Sequence, residues 1–444
     1  FVRRQACESL SRSRQQVKLS DIAGLLGSPD RFESTAARRL LEVNQVEDWP
    51  TAILNTDQIR LFIQGSAAML IAHPERDEAL AVVDRFRDLT RGFVNDVDYV
   101  DLLRVLQLAV TRAELSPQDL AELRSELESE FPAGNIRINR ELSRLLCFLQ
   151  TSNGIGPMLD YLESPAPSGD KIHVAMHMRF ITDGWTSAER MRLLNYFEAN
   201  DAEQTVGKNL SRYVESAAQD FVATLTETER QQVLDRGNVM PKMAVATLFA
   251  MPAANDRQNF ARLKKLDQDI ANRSGPGYDQ LKVGLVALLA RGGHEDGMNY
   301  LRDIYKRDPQ RRQAVAMGLA QNPGGKNWDY LVRSLPLLEG DAAIEVLQRL
   351  QEVSFAPELP EHYRQVILCG LRLGENGADS ATKLLNHWTG TTPTKMGEGW
   401  EAQLGAWQDW FAETYKDVAH LPPATLPIET GRNTWTFEDL VAFL

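Results

Sequence analysis

A short segment of small and aliphatic residues occurs twice in the C-terminal half of the chain, at an interval of about 30 residues. The first copy is Lys282–Ala290 and the second is Arg312–Ala320, and each precedes a break containing glycine or proline and a second amphipathic segment. Two short helices per repeat are typical of proteins in which one unit cannot bury its apolar face alone. The pattern predicts an all-α fold, an α-solenoid of stacked antiparallel helix pairs of the HEAT or ARM type.

The N-terminal half shows a similar interval. Ala36 and Leu40 occupy the positions in one predicted helix that Ala6 and Leu10 occupy in the helix about 30 residues earlier. Helical periodicity continues through most of the sequence, and the alternating patterns of β-strands are nearly absent.

Three segments carry the signature of a helix start: Ser116–Asp119, Thr186–Glu189 and Thr226–Glu229. In each, a hydroxyl residue is followed three positions later by an acidic residue, so that each side chain can bond to the backbone at the other position. We therefore predict a helix beginning at each of them.

The pattern predicts four parts of the chain. Residues 1–205 form an N-terminal helical-repeat region, and residues 206–275 form a more irregular helical connector. Residues 276–388 contain the most regular HEAT-like repeats. Residues 389–444 contain a tryptophan-rich capping helix and a linker toward a further domain.

Composition limits the classes of partner. The chain has 444 residues, of which 43% are hydrophobic and 25% charged, as in a folded soluble protein. No apolar run approaches the roughly 18 residues needed to cross a bilayer, so no membrane span is expected. The net charge of −12 repels nucleic acid. Two basic clusters, Lys306–Arg312 and the pair Arg38 and Arg39, are interpreted as solvated helix ends.

No motif for catalysis or for cofactor binding is present. The three cysteines, Cys7, Cys147 and Cys369, are far apart, and we expect them to be buried without a disulfide. The sequence lacks a Cys-x-x-Cys-His motif, a phosphate-binding loop and a nucleophile-elbow serine. We therefore predict that this segment is not an enzyme and binds no cofactor.

His173 and His177 are the candidate metal ligands, because residues four apart lie on one face of a helix. The glutamate of the zinc-protease motif is missing, since Val174 stands in its place, and no third ligand is evident. The alternative is a structural pair of histidines.

Trp400, Trp407 and Trp410 are the candidate interaction residues. Their spacing gives one predicted helix an unusually aromatic face. This face could seal the last repeat, dock against a neighbouring domain, or do both. Trp388 and Trp435 are further tryptophans of the same C-terminal region.

Several runs resemble a known group of proteins. They are Ala36–Glu42 with Trp49, Phe131–Ala133 with Ile138–Leu142, Met178–Arg190, Leu225–Arg230 and Phe437–Leu440. Together they resemble the HEAT-like helical region of large exported bacterial proteins of the planctomycete type. The resemblance implies a β-propeller, often dehydrogenase-like, before this region and a c-type cytochrome domain after it. It also implies a periplasmic or other extracytoplasmic location.

The ends of the chain led us to expect a piece of a longer polypeptide. It begins inside a predicted helix without an initiator methionine, and Phe437–Leu444 is a helix start without a stop. In the group that it resembles, such a helix leads into the haem domain, so haem c is expected only downstream.

The function predicted from these observations is that of a non-catalytic scaffold within a larger cytochrome or dehydrogenase-like protein. Its partners would be the neighbouring domains and possibly another protein. The alternative is a stand-alone module that binds a protein or a polysaccharide. A hydrolase or a nucleic-acid enzyme would require a cleft with converging titratable groups.

Overall fold

A computed structural model describes residues 2–13, 16–44, 46, 49–199, 208–251, 257–393 and 397–420. The chain divides into two compact units, residues 1–224 and residues 225–444. The residues that the structure describes form helices and no strand, so the all-α prediction is confirmed. The division between the units falls within the predicted connector, and the four-part organisation stays a prediction.

The first unit contains thirteen of the described α-helices, with one short 3-10 helix at Pro117–Leu120 before α8. In chain order they are α1 (Val2–Ser13), α2 (Leu19–Leu26), α3 (Arg31–Val43), α4 (Trp49–Leu54), α5 (Ile59–Ala72), α6 (Arg76–Thr90), α7 (Asp96–Arg112), α8 (Ala121–Glu130), α9 (Ile136–Phe148), α10 (Ile155–Glu163), α11 (Ser168–Met178), α12 (Ser187–Ala199) and α13 (Lys208–Ala223).

The second unit contains the other described helices, with 3-10 turns at Pro309–Arg311 and Leu335–Leu337. They are α14 (Glu227–Asp235), α15 (Pro241–Ala250), α16 (Arg257–Asp269), α17 (Pro276–Arg291), α18 (Glu295–Arg307), α19 (Arg312–Ala320), α20 (Asn327–Ser334), α21 (Gly340–Leu350), α22 (Pro360–Leu373), α23 (Glu375–Thr389), α24 (Trp400–Thr414) and α25 (Lys416–Ala419).

In the first unit, every odd-numbered helix packs against the next odd-numbered helix, from α1 through α3, α5, α7, α9 and α11 to α13. We call this series the odd row. Each even-numbered helix from α2 to α12 packs against the odd-numbered helix that follows it. The odd row carries much of the core, because helices such as α7 and α9 bury most of their apolar side chains.

The second unit repeats this alternation. Each odd-numbered helix packs against the next odd-numbered one, in the order α15, α17, α19, α21 and α23. A second series of successive contacts joins α18, α20, α22 and α24. The segments Lys282–Ala290 and Arg312–Ala320 lie in α17 and α19, which pack against each other. Gly318 permits this close approach, since a Cβ atom there would lie 3.1 Å from Cγ1 of Val286.

The predicted helix starts are confirmed. The backbone N–H of Thr226 donates to a carboxylate oxygen of Glu229 at 2.9 Å, and that of Ser116 donates to Asp119 at 2.7 Å. The same reciprocal arrangement joins Thr186 and Glu189 just before α12. These local pairs satisfy N–H groups that would otherwise lack a partner at a helix end.

The three cysteines are buried and free, as expected. Burial raises the pKa of each thiol, because an apolar environment disfavours the thiolate. No helix within the described ranges is long and apolar enough to cross a membrane. Trp435, the linker after residue 420 and Phe437–Leu444 lie outside the described residues.

A buried carboxylate joins three elements of the second unit. Asp267 of α16 is fully buried and forms an ion pair with Arg311, which is 4% exposed. It also accepts a hydrogen bond from the hydroxyl of Tyr300 in α18 at 2.7 Å and one from Arg307 at 3.2 Å. Burial, and next the bond to Asp267, raise the pKa of Tyr300 to about 12.

The interpretation of the basic cluster Lys306–Arg312 as a solvated helix end is wrong for Arg311. The sequence shows four cations near one turn, but it does not show that Asp267, 44 residues away, lies beneath them. The guanidinium of Arg311 therefore belongs to the interior.

We predict that Asp267→Asn lowers the free energy of unfolding by about 2–3 kcal/mol, because the buried Arg311 cation then keeps only the partly exposed Asp308 as its counter-charge. Urea denaturation followed by circular dichroism measures this change. Asp269→Asn is the matched control, since Asp269 pairs with the exposed Lys265 at the same helix end. Equal effects of the two substitutions would contradict the structural role of Asp267.

Candidate functional site

Three arginines of the first unit connect successive helices of the odd row. Arg60 of α5 binds Asp98 of α7, with Nε 3.2 Å from Oδ1. The two other pairs continue the same step, from α7 to α9 and from α9 to α11. They are Arg104 with Glu141, at 3.1 Å, and Arg140 with Asp170, at 2.6 Å between Nε and Oδ1.

In each pair the arginine is exposed and the acid is buried. The side chain of Arg104 is 57% exposed and that of Glu141 only 5%, whereas Arg140 is 46% exposed over Asp170 at 4%. The carboxylates therefore lie beneath the guanidinium groups. A molecule approaching these helices meets N–H donors and positive charge first.

Glu141 is the most heavily bound of these acids. Its carboxylate accepts hydrogen bonds from Gln107 at 2.9 Å and from Arg144 at 2.6 Å, in addition to that from Arg104. Burial raises the pKa of Glu141, but the hydrogen bond from Gln107 and the two guanidinium groups outweigh it, so the pKa lies below its ordinary value. Glu141 is thus ionised at neutral pH and holds both arginines in place.

We call the cavity of about 360 Å³ between α7 and α9 the arginine groove. Arg137, Arg140 and Arg144 occupy one face of α9, because they are three and four residues apart. The exposed guanidinium of Arg137 makes no hydrogen bond or ion pair with any residue that the structure describes. The lining of the groove consists of Asp96, Val97, Val100, Asp101, Arg104, Asn135, Arg137, Arg140, Glu141 and Arg144.

A wider cavity of about 760 Å³ adjoins the arginine groove. Asp96 and Asn135 line both, and the amide of Asn135 donates to the carboxylate of Asp96 at 2.9 Å. Phe93, at the edge of the wider cavity, is 92% exposed. Val97 and Ile136 are also exposed, at 62% and 45%. Apolar surface therefore borders the row of cations.

The two candidate metal ligands lie on α11, the next helix of the odd row. The imidazole rings of His173 and His177 have centroids 4.3 Å apart. Nδ1 of His177 donates to the carbonyl oxygen of His173 at 2.7 Å, and Nε2 of His173 donates to that of Arg140 at 3.2 Å. One nitrogen of each ring therefore carries a proton and bonds to the backbone.

A metal centre would need at least a third protein ligand beside these two histidines. No group of three or more His, Cys, Asp or Glu side chains that could hold a metal ion occurs in the described parts of the chain. Metal binding by His173 and His177 stays a prediction, with no third ligand among the described residues.

Both histidines are neutral at pH 7. Burial, and next the charge of His177, lower the pKa of His173 to about 4, and burial also lowers the pKa of His177. Arg140 and Arg144 face His173 and oppose its protonation. The neutral pair leaves the positive charge of this surface to the arginines.

We predict that the protein loses stability as the pH falls from 6.5 toward 4, partly through His173. In this interval the unfolded chain, with an ordinary histidine pKa, binds a proton that the folded chain does not, so the lower pH favours unfolding. His173→Gln keeps a donor for the carbonyl of Arg140. It should reduce the loss of unfolding free energy between pH 7.5 and pH 5 by about 1 kcal/mol, allowing for partial exposure.

Urea denaturation at the two pH values measures this difference. His73→Gln is the control, because His73 is an exposed histidine of the same unit. If His173→Gln leaves the pH dependence as it is in the original protein, the neutral state of His173 is contradicted.

The structure places the three candidate interaction tryptophans in the second unit, on α24. Trp407 is fully buried, so it belongs to the core and presents no surface to a partner. Its ring packs against that of Trp410 with centroids 5.2 Å apart. Trp410 and Trp400 are partly buried against the same core. Interaction through these two residues stays a prediction, and Trp388 is buried.

The sequence analysis missed the arginine groove. The residues of its ion pairs are far apart in the sequence: Arg104 and Glu141 are separated by 37 residues, and Arg140 and Asp170 by 30. The available signal was the spacing of Arg137, Arg140 and Arg144, which puts three cations on one helical face.

Comparisons with known proteins give no relative for this chain: no family model, curated protein or solved structure matches it. The packing of the helices and the arginine groove are therefore the observations that bear on function.

Proposed function

We propose that the chain is a non-catalytic helical-repeat scaffold and that each unit is an α-solenoid of stacked helix pairs, of the HEAT or ARM type. The observation that supports this most is the odd row of the first unit, in which each helix packs on the next odd-numbered one. Such a one-dimensional order of contacts is typical of repeat arrays.

The ion pairs of the first unit support the same arrangement. Arg60, Arg104 and Arg140 each bind an acid on the next helix of the odd row. A repeated contact of this kind keeps neighbouring helices in register. In the proposed mechanism the array holds other protein parts at a fixed separation, and its side chains offer a binding surface.

The solenoid arrangement predicts how a local defect spreads. Leu142 of α9 is fully buried, and Leu142→Ala should destabilise its surroundings by about 2–5 kcal/mol. Amide hydrogen exchange should then increase most in α7, α9 and α11 and less in α3 and α13, because each repeat contacts only its neighbours.

Ile136→Ala is the control, since Ile136 begins the same helix but is 45% exposed. It should leave exchange outside α9 unchanged. A uniform increase over the whole first unit after Leu142→Ala would instead indicate a single cooperative globule.

We also propose that this array belongs to a larger exported protein with a dehydrogenase-like propeller and a c-type cytochrome domain. The sequence resemblance alone supports this part. The coding sequence after Leu444 should then contain a Cys-x-x-Cys-His motif, and the longer polypeptide should show a haem Soret band that residues 1–444 lack. A coding sequence without the motif, or a Soret band from residues 1–444, would contradict the proposal.

The second candidate function is a stand-alone module that binds a protein or a polysaccharide. The arginine groove favours this second function, because its exposed guanidinium groups and apolar side chains all belong to the first unit. The two functions are compatible, since a scaffold also requires a surface that recognises what it holds.

A further inference from the structure

We propose that the arginine groove binds an acidic segment of a polypeptide, with one large apolar side chain of that segment seated beside Phe93. This inference rests on the proposed scaffold function and names the class of partner that the scaffold would hold.

The first argument is the placement of charge. The protein as a whole carries a net charge of −12, yet this face presents arginines. Arg104 and Arg144 are 57% and 42% exposed, whereas Glu141, which both contact, is 5% exposed. Four arginines and three acids line the groove. Two of the acids, Asp96 and Asp101, are more exposed than Glu141, so the excess of positive charge is modest. The exposed surface is suited to short-range recognition of a few carboxylates.

The second argument is the number of donors that remain. The fold uses Nε and Nη1 of Arg104, and it uses Nε and Nη2 of Arg140. The guanidinium of Arg137 has no partner among the described residues, and its backbone N–H donates to Asn135. A planar guanidinium offers five N–H donors, and its geometry matches a carboxylate with two parallel hydrogen bonds. The pairs with buried acids fix the arginines while leaving N–H groups for a ligand.

The third argument is the apolar border, which distinguishes a polypeptide from other polyanions. Phe93 lines the adjoining cavity and is 92% exposed, Val97 lines the groove itself, and Ile136 is exposed next to residues that line it. Exposed apolar side chains next to arginine are typical of protein-binding surfaces. A sulfated polysaccharide would gain little from them, and a nucleic-acid base could stack on Phe93 but would gain little from the aliphatic Val97 and Ile136.

The acidic surface elsewhere does not prevent this contact. At physiological ionic strength the Debye length is about 8 Å, so distant charges are largely screened while direct pairs are less affected. A long polyanion would extend beyond the groove and meet the acidic surface. A short acidic segment would not.

The spacing of helices sets the length of the segment. Packed helices lie about 8–10 Å apart, and Arg137 to Arg144 extend about 10 Å along α9, so a segment that crosses from α7 to α9 and follows these arginines spans about 20 Å. In an extended conformation this corresponds to about six residues, and a probe of about ten residues allows for both ends.

The test is a fluorescence-anisotropy titration of the full chain with a labelled peptide of about ten residues, composed of glutamate and serine with one central phenylalanine. We expect saturable binding that weakens as salt is added. Arg137→Glu should weaken it by about tenfold or more, because it removes a charged donor and adds a repulsive charge. Phe93→Ser should weaken it by about threefold or more.

Matched controls separate these effects from general changes of charge or folding. Arg273→Glu makes the same charge change at an exposed arginine of the second unit, and Tyr213→Ser removes an aromatic ring that is 64% exposed. Both should bind the peptide like the original protein. A peptide with lysine in place of glutamate should not bind.

Three results would overturn the proposal. The first is no binding of the peptide to a chain that circular dichroism shows to be folded. The second is equal binding by the Arg137→Glu protein. The third is binding of heparin or single-stranded DNA as tight as that of the peptide and equally dependent on Arg137, which would assign the groove to a polyanion. None of these results alters the exchange pattern that tests the solenoid arrangement.

Discussion

Apolar contact between successive odd-numbered helices is the interaction on which each unit depends. The longest helix of the described chain, α7, has 17 residues, and the other described helices are shorter. Isolated helices of this length are marginally stable in water, because a few hydrogen bonds do not offset the unfavourable free energy of helix nucleation. They become stable only by burying an apolar face, and a helix in the middle of the row buries two. Residues such as Leu102 and Leu142 are fully inaccessible for this reason.

Charged groups add specificity to these contacts in two different ways. In the first unit, exposed arginines lie over buried acids, as Arg140 lies over Asp170. The carboxylate is satisfied, and the cation still faces outward. In the second unit, Asp267 and Arg311 are both buried, with Tyr300 completing the hydrogen bonds. A pair removed from water in this way costs desolvation energy, so we infer that it serves to fix the 3-10 turn Pro309–Arg311 against α16. Only the first kind leaves donors for a partner.

Local features of the fold could be predicted, and features that join distant segments could not. The capping pairs, such as Thr226 with Glu229, are three residues apart and follow from helix geometry alone. The repeated segments Lys282–Ala290 and Arg312–Ala320 were predicted to be helical, and both lie in helices with mostly buried residues, α17 and α19. By contrast, the sequence around Arg311 predicts a solvated side chain, because its partner Asp267 is 44 residues away and their contact cannot be predicted locally. Trp407 was considered an interaction residue, because spacing does not show which side of a helix faces the core.

The sequence by itself determined that this protein is helical, where many helices begin, and that they recur at a nearly regular interval. Periodicity and capping act over one or two turns, so they are legible in the order of residues. The tertiary structure decided which charges are buried and which remain exposed. That outcome depends on the rotation of each helix about its axis and on which helix packs beside it, for these ion pairs 30 to 44 residues away along the chain. The exposed guanidinium of Arg104 and the buried one of Arg311 have the same chemistry, and their surroundings alone place one at the surface and the other in the core.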